Sequence, residues 1–362
     1  MLNAKSQRPK DAGQTDREKR NRFSRDLPKG QTESRKKDHV DIVLKKDVQY
    51  TKSLGFEEID FLHCALPECD YNKIDLSCKF LGKKLGAPLL ITGMTGGYKD
   101  AERINHSLAE AAEKYKLAFG VGSQRAMIES PELKKTYYVR DVAPSIPLLA
   151  NIGGVQLRKY GIEKVSSLVS GIEADAIAVH LNALQEIIQP EGDRDFTGVF
   201  AAIRQACEQL DVPVIVKETG AGISSDVALK LRDIGVKYID VSGAGGTSWS
   251  KVEYERKGFT PGFENWGIPT VAAIMMCKGI LPLIGSGGVR DGIDASKCIA
   301  LGCDIAGAAY PFIKAFETGG NKLDALVEKW LTQMRACAFL TGSTNYQELK
   351  KAKIVFRNTS EA

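Results

Sequence analysis

From residue 88 onward the chain alternates between short apolar runs, each ending in glycine, serine, asparagine or a charged residue, and longer segments of helical period. The runs are PLLITGM (88–94), LAFGVGS (117–123), PLLANIG (147–153), AIAVHLN (176–182), PVIVKETG (213–220), YIDVSGAGG (238–246), PLIGSGG (282–288) and DIAGAAYP (304–311), with starts 22 to 44 residues apart. Uninterrupted apolar runs suit strands covered on both faces, as in a parallel sheet. The intervening segments carry the matching stripe: Phe196, Val199, Phe200, Ile203, Cys207 and Leu210 recur at steps of three and four, one apolar face of a helix. Eight such βα units in about 220 residues predict an α/β fold, a (β/α)8 barrel with a short N-terminal segment before it. A doubly wound open sheet is the alternative, but it usually has fewer strands and requires a reversal of strand order.

Charge separates the ends of the chain. Residues 1–37 hold 12 Lys+Arg and 5 Asp+Glu; of the chain's 50 and 45, this leaves 38 and 40, so residues 1–37 carry +7 and the remainder −2. Residues 1–34 therefore predict a disordered basic tail, and residues 35–362 one domain. A body without excess basicity argues against a nucleic-acid partner. The tail has neither an apolar core segment nor the acid-poor composition of a transit peptide, and no run of about 18 apolar residues occurs, so the expectation is a cytoplasmic protein with no membrane partner. Eight cysteines without a CxxC pair read as reduced buried thiols; His63, Cys64, Cys69 and Cys78 could be drawn as a zinc site, but at irregular spacing. In residues 38–87 the stretch YNKIDLSCKFLGKKLGAP, with Gly82 and Gly86, predicts a hairpin or short strands closing the barrel bottom.

In such a barrel the residues after each strand share one mouth. SGGVR after the seventh run and GAAY after the eighth bring glycines whose backbone N–H groups can approach an anion, with Arg290 adding charge, which points to a phosphate-bearing ligand over the bland reading of tight turns. Lys217, ending an apolar strand, needs an anion or an electron-rich ring as partner, unless it pairs with Glu218 or Glu186. The stretch HLNALQEIIQPEGDR crowds His180, Asn182, Gln185 and Glu186 at a strand end. A histidine there is as readily an orienting group as a base, and Glu186 is either a metal ligand or a solvated loop carboxylate.

Eight motifs in order, RKKDH (35–39), TGMTGG (92–97), GVGSQR (120–125), ANIG (150–153), HLNALQEIIQPEGDR (180–194), VKETGAGIS (216–224), SGAGGTSW (242–249) and GSGGVRDGIDASKCIALG (285–302), resemble the type 2 isopentenyl-diphosphate isomerases, FMN-dependent barrels of isoprenoid synthesis. The resemblance implies FMN held by Gly93, Met94, Thr95, Ser123, Asn151, Lys217, Ser242, Thr247, Gly287, Gly288, Arg290, Ala309 and Tyr310, the last standing where the family commonly has an aliphatic residue. It implies a small diphosphate substrate on Arg35, Lys36, His39, Ser123, Gln124, Arg125 and Gln185, and Mg2+ on Glu186. It also implies NADPH as reductant of the flavin, a homotetramer or larger assembly, and a double-bond shift without net redox change. In that reaction reduced FMN acts through its N5, Gln185 positions or relays a proton, and His180 serves near the flavin. The alternatives are an FMN oxidoreductase of the hydroxy-acid oxidase or IMP dehydrogenase type and a non-catalytic flavin carrier. The dehydrogenase requires a loop cysteine, and none follows SGGVR before Cys298, which falls within the next helical period.

Overall fold

The computed structural model describes residues 31–257 and 262–357. Most of the expected basic tail lies outside the described residues; its last four positions, 31–34, already belong to helix α1 (Gln31–Lys45). Strand β1 (Ile59–Phe61) pairs antiparallel with β12 (Ile354–Phe356), joining the two ends of the domain. The hairpin expected before the barrel is β2 (Cys78–Phe80) and β3 (Lys83–Leu85), turned by Leu81 and Gly82 at φ 50° and 78°. It covers the barrel bottom: Phe80 packs edge-on against Tyr238 at the start of β9, ring centroids 5.0 Å apart.

Eight parallel strands close the barrel: β4 (Leu89–Ile91), β5 (Ala118–Gly120), β6 (Leu148–Gly153), β7 (Ala176–Leu181), β8 (Val214–Glu218), β9 (Tyr238–Asp240), β10 (Leu283–Ser286) and β11 (Ile305–Ala308). Each falls within one of the eight apolar runs, and β11 returns to β4 through Ala306 opposite Leu89 and Ala308 opposite Ile91. Every residue of β4, β5, β6, β10 and β11 is buried, as a sheet wrapped by helices requires. The open-sheet alternative is excluded by this closure. In the helix Val199–Gln209 the predicted stripe buries Val199 and Ile203, but Phe200 is 40% exposed and lies beneath the Arg204 guanidinium, so it is a surface residue.

Three of the helices at the mouth bear directly on the site. α2 (Ala183–Ile188) follows β7, α3 (Trp249–Lys257) follows β9, and α1 comes from outside the barrel to lie on α3. Val43, Val48 and Val252, none with exposed surface, form a small core between α1 and α3. Burying three valines is worth about 1.5–3 kcal/mol each, enough to hold α1 in place. All eight cysteines are free thiols, and among the described residues no three His, Cys, Asp or Glu side chains gather at metal-binding range, so His63, Cys64, Cys69 and Cys78 form no zinc site. No described helix is long and apolar enough to cross a membrane.

Candidate active site

The strand ends surround a cavity of about 800 Å³, which α1 roofs with Arg35, Lys36 and His39. The Lys36 ammonium donates to Gly96 O at 2.9 Å, to the Tyr137 hydroxyl at 2.7 Å and to Ser123 O. Burial and the charge of Arg35 bring its pKa down to about 7. Arg125 reaches Glu129 at 2.7 Å, and Thr32 at the head of α1 donates to the same carboxylate at 2.7 Å, so the roof and the β5 loop share one anchor.

Where β7 gives way to α2, Asn182 donates to Glu186 at 2.9 Å, and the Asp193 N–H reaches the other Glu186 oxygen at 2.7 Å. That loop closes tightly because Gly192 passes against the backbone of Glu186: a Cβ at 192 would stand 2.0 Å from Glu186 O. Glu186 is 8% exposed, and burial raises its pKa. A carboxylate raised in this way gains from a cation beside it, the environment a hard divalent ion supplies.

A second carboxylate, absent from the sequence reading, organises this corner. Glu253 of α3 is 1% exposed; one oxygen accepts from His39 at 2.9 Å and Gln185 at 3.0 Å, the other from Arg256 at 2.9 Å. Burial pushes its pKa up, but His39 and Arg256 outweigh that and hold it at about 2. Arg256 continues to Glu191 at 2.5 Å, tying the loop after α2 to the same helix. The only local signal for Glu253 was its place one turn after Trp249.

On the floor, Asn151 donates through Nδ2 to Val121 O at 3.0 Å and turns Oδ1 to His180 Nδ1 at 2.9 Å. His180 therefore carries its proton on Nδ1, and Nε2 remains an acceptor. Burial, with the charges of Lys217 and Lys36, lowers the imidazole pKa to about 3, so it is neutral at physiological pH. Lys217 donates to Glu218 O at 2.6 Å and lines the cavity. Neither salt bridge suggested for it, to the Glu218 or the Glu186 carboxylate, forms: the Glu218 carboxylate instead accepts the N–H groups of Thr219 and Gly220, each at 2.6 Å, and of Ala221. Gly93, Met94, Thr95, Ser242 and Thr247 complete the wall.

The far end is the expected phosphate corner. Gly287, at φ 103°, lets the loops after β9 and β10 touch: a Cβ there would stand 2.2 Å from Gly243 O. Arg290, Gly288, Ala309 and Tyr310 line the same end, and Tyr310 opens the helix Tyr310–Thr318. The departure at Tyr310 has a packing reason: its ring lies against the valine cluster between α1 and α3, which accounts for an aromatic at this position.

Gln124, expected in the substrate-binding set, sits apart from the cavity lining. It is fully buried; its amide accepts from Asn151 N at 3.0 Å and donates to Leu168 O at 3.2 Å, fastening the β5 loop to β6. The other predicted site residues, Ser123 and Arg125 included, line the one cavity.

The FMN-dependent dehydrogenase family matches residues 173–356. Among solved structures, a lactate oxidase from Pediococcus acidilactici superposes with a TM-score of 0.65 at 16% identity, covering 90% of this chain and 94% of that one; a mandelate oxidase variant gives 0.62 at 14%, covering 88% and 95%. At such identities the likeness is one of fold. Isopentenyl-diphosphate delta-isomerase of Pyrococcus furiosus is 46% identical over 89% of this chain and 86% of its own length, and that of Nostoc sp. 48% identical over 88% and 95%. Identity sustained over both lengths decides the assignment: the chain belongs to the isopentenyl-diphosphate delta-isomerases, enzymes on an FMN-dependent dehydrogenase barrel.

Proposed function

We propose that the cavity converts isopentenyl diphosphate into its dimethylallyl isomer and back, with reduced FMN and Mg2+ and without net redox change. One observation carries the reading: a single cavity joins two cationic ends across a floor of Asn151, His180 and Lys217. One end has the glycine corner with Arg290, suited to a flavin phosphate; the other has Arg35, Lys36 and Arg125 beside Glu186, suited to a diphosphate and its metal. The residues fit the flavin, since Lys217 and the loop glycines offer one cation and close backbone approach along one side. Bound in reduced form, FMN supplies an electron-rich ring and an acid–base nitrogen.

The chain's own groups divide the remaining work. Arg35 and Arg125 grip the diphosphate, Lys36 adds its charge beside them, and Glu186, ionised, would hold Mg2+. His39, fixed by Glu253 and lying edge-on to Trp249 at 5.2 Å, keeps the roof closed over the hydrocarbon. Gln185, fixed by the same carboxylate, positions or relays a proton. His180 presents a neutral Nε2 and orients what lies on the floor; it is not an acid at neutral pH. NADPH serves to reduce the flavin and is not consumed in each turnover.

The test is an anaerobic mixture of protein, FMN, NADPH, Mg2+ and isopentenyl diphosphate. Dimethylallyl product formed in large excess over NADPH oxidised is the expected result. NADPH oxidised in step with substrate would assign an oxidoreductase instead.

A further inference from the structure

The upper inward layer of the barrel carries ionisable side chains on three consecutive strands. His180 of β7 is in register with Lys217 of β8, and Lys217 with Asp240 of β9. Residues in register on a parallel ladder project to the same face, so Asp240 follows His180 and Lys217 inward. It is 2% exposed and lies behind the wall that Lys217, Ser242 and Ser286 present to the cavity. An isolated buried carboxylate is too costly to keep without partners.

Its partners are that wall. The Ser286 hydroxyl donates to Asp240 Oδ1, the Ser242 N–H donates to the same carboxylate, and Lys217 supplies the opposing charge. Ser242 has φ 38°, a left-handed conformation that costs a non-glycine residue about 1 kcal/mol or more unless its surroundings enforce it. Lys217 spends one of its three donors on Glu218 O, which leaves two for other partners. One hidden carboxylate thus bonds Ser242, assigned to the flavin, and the serine that precedes Gly287, and acts on Lys217 by charge.

We infer that Asp240 is a positioning residue of the flavin floor, holding the Lys217 ammonium, the Ser242 backbone and the Ser286 hydroxyl in the arrangement that meets the ring. The inference rests on the flavin reading of the cavity. It separates from plain structural support by a double-mutant cycle, because coupling appears only if Asp240 acts through Lys217.

Wild type, Asp240→Asn, Lys217→Met and the double variant are titrated with FMN by flavin fluorescence, and the midpoint potential of bound FMN is measured in each. Asp240→Asn is expected to weaken FMN at least tenfold and to shift the potential, whereas in the Lys217→Met background the same change alters affinity less than threefold. Equal losses in both backgrounds, or FMN affinity and potential unchanged by Asp240→Asn, overturn the inference. If Asp240→Asn fails to fold, Ser286→Ala takes its place in the cycle under the same criteria. A wild-type protein that takes up no FMN removes the flavin reading itself, an outcome distinct from failure of the cycle.

Discussion

Replacing Glu253 by Gln tests the roof of the site. In the native protein its carboxylate accepts from His39, Gln185 and Arg256 at 2.9, 3.0 and 2.9 Å. An amide retains one acceptor oxygen and turns an NH2 toward donors, so at least one bond to the charged group is lost outright. Hydrogen bonds to charged groups are worth about 1.5–3 kcal/mol each, and Arg256 keeps Glu191, so a loss of about 2–4 kcal/mol is expected. The valine cluster still anchors α1, and the fold therefore survives; what is lost is the registration of His39 and Gln185 over the substrate. At about 1.4 kcal/mol per decade, kcat/KM for isopentenyl diphosphate should fall roughly 30- to 1000-fold. FMN affinity, measured by fluorescence, should stay within about threefold of wild type, because Glu253 contacts none of the floor residues discussed above. A kcat/KM within threefold of wild type would refute the reasoning, as would an equal collapse of FMN binding.

Four further outcomes are expected. Glu186→Gln should raise the Mg2+ concentration for half-maximal turnover at least tenfold while FMN stays bound; unchanged metal dependence contradicts the assignment. Lys36, with its pKa lowered to about 7, is charged below that pH and loses its charge as pH rises through it, so wild-type kcat/KM should decline above pH 7 relative to Lys36→Met, whose profile lacks this limb. His180, lowered to about 3, stays neutral from pH 5 to 8, so His180→Asn should cost about tenfold in kcat without changing the shape of the pH profile; disappearance of a limb in that range would reassign it as an acid or base. Removal of residues 1–30 should leave steady-state activity within twofold, whereas removal through His39 should abolish it; equal behaviour of the two would exclude α1 from the site.

The sequence by itself determined the barrel and most of its mouth. Strands buried on both faces and helices with one apolar stripe are local patterns, and a closed barrel sends the end of every strand to the same side, so Gly93, Asn151, Lys217 and Gly287 could be brought together without coordinates. Only the tertiary structure decided what holds them. Glu253 meets His39 across 214 positions, Tyr310 finds a valine cluster drawn from α1, the segment after it and α3, and β1 pairs with β12 across the whole domain. Gln124 looked like its neighbours Ser123 and Arg125 but turns inward, because a buried amide can bond the backbone of β6 and Leu168 at once. Periodicity records which face of an element is buried; which partner from elsewhere in the chain arrives at that face is a property of packing alone.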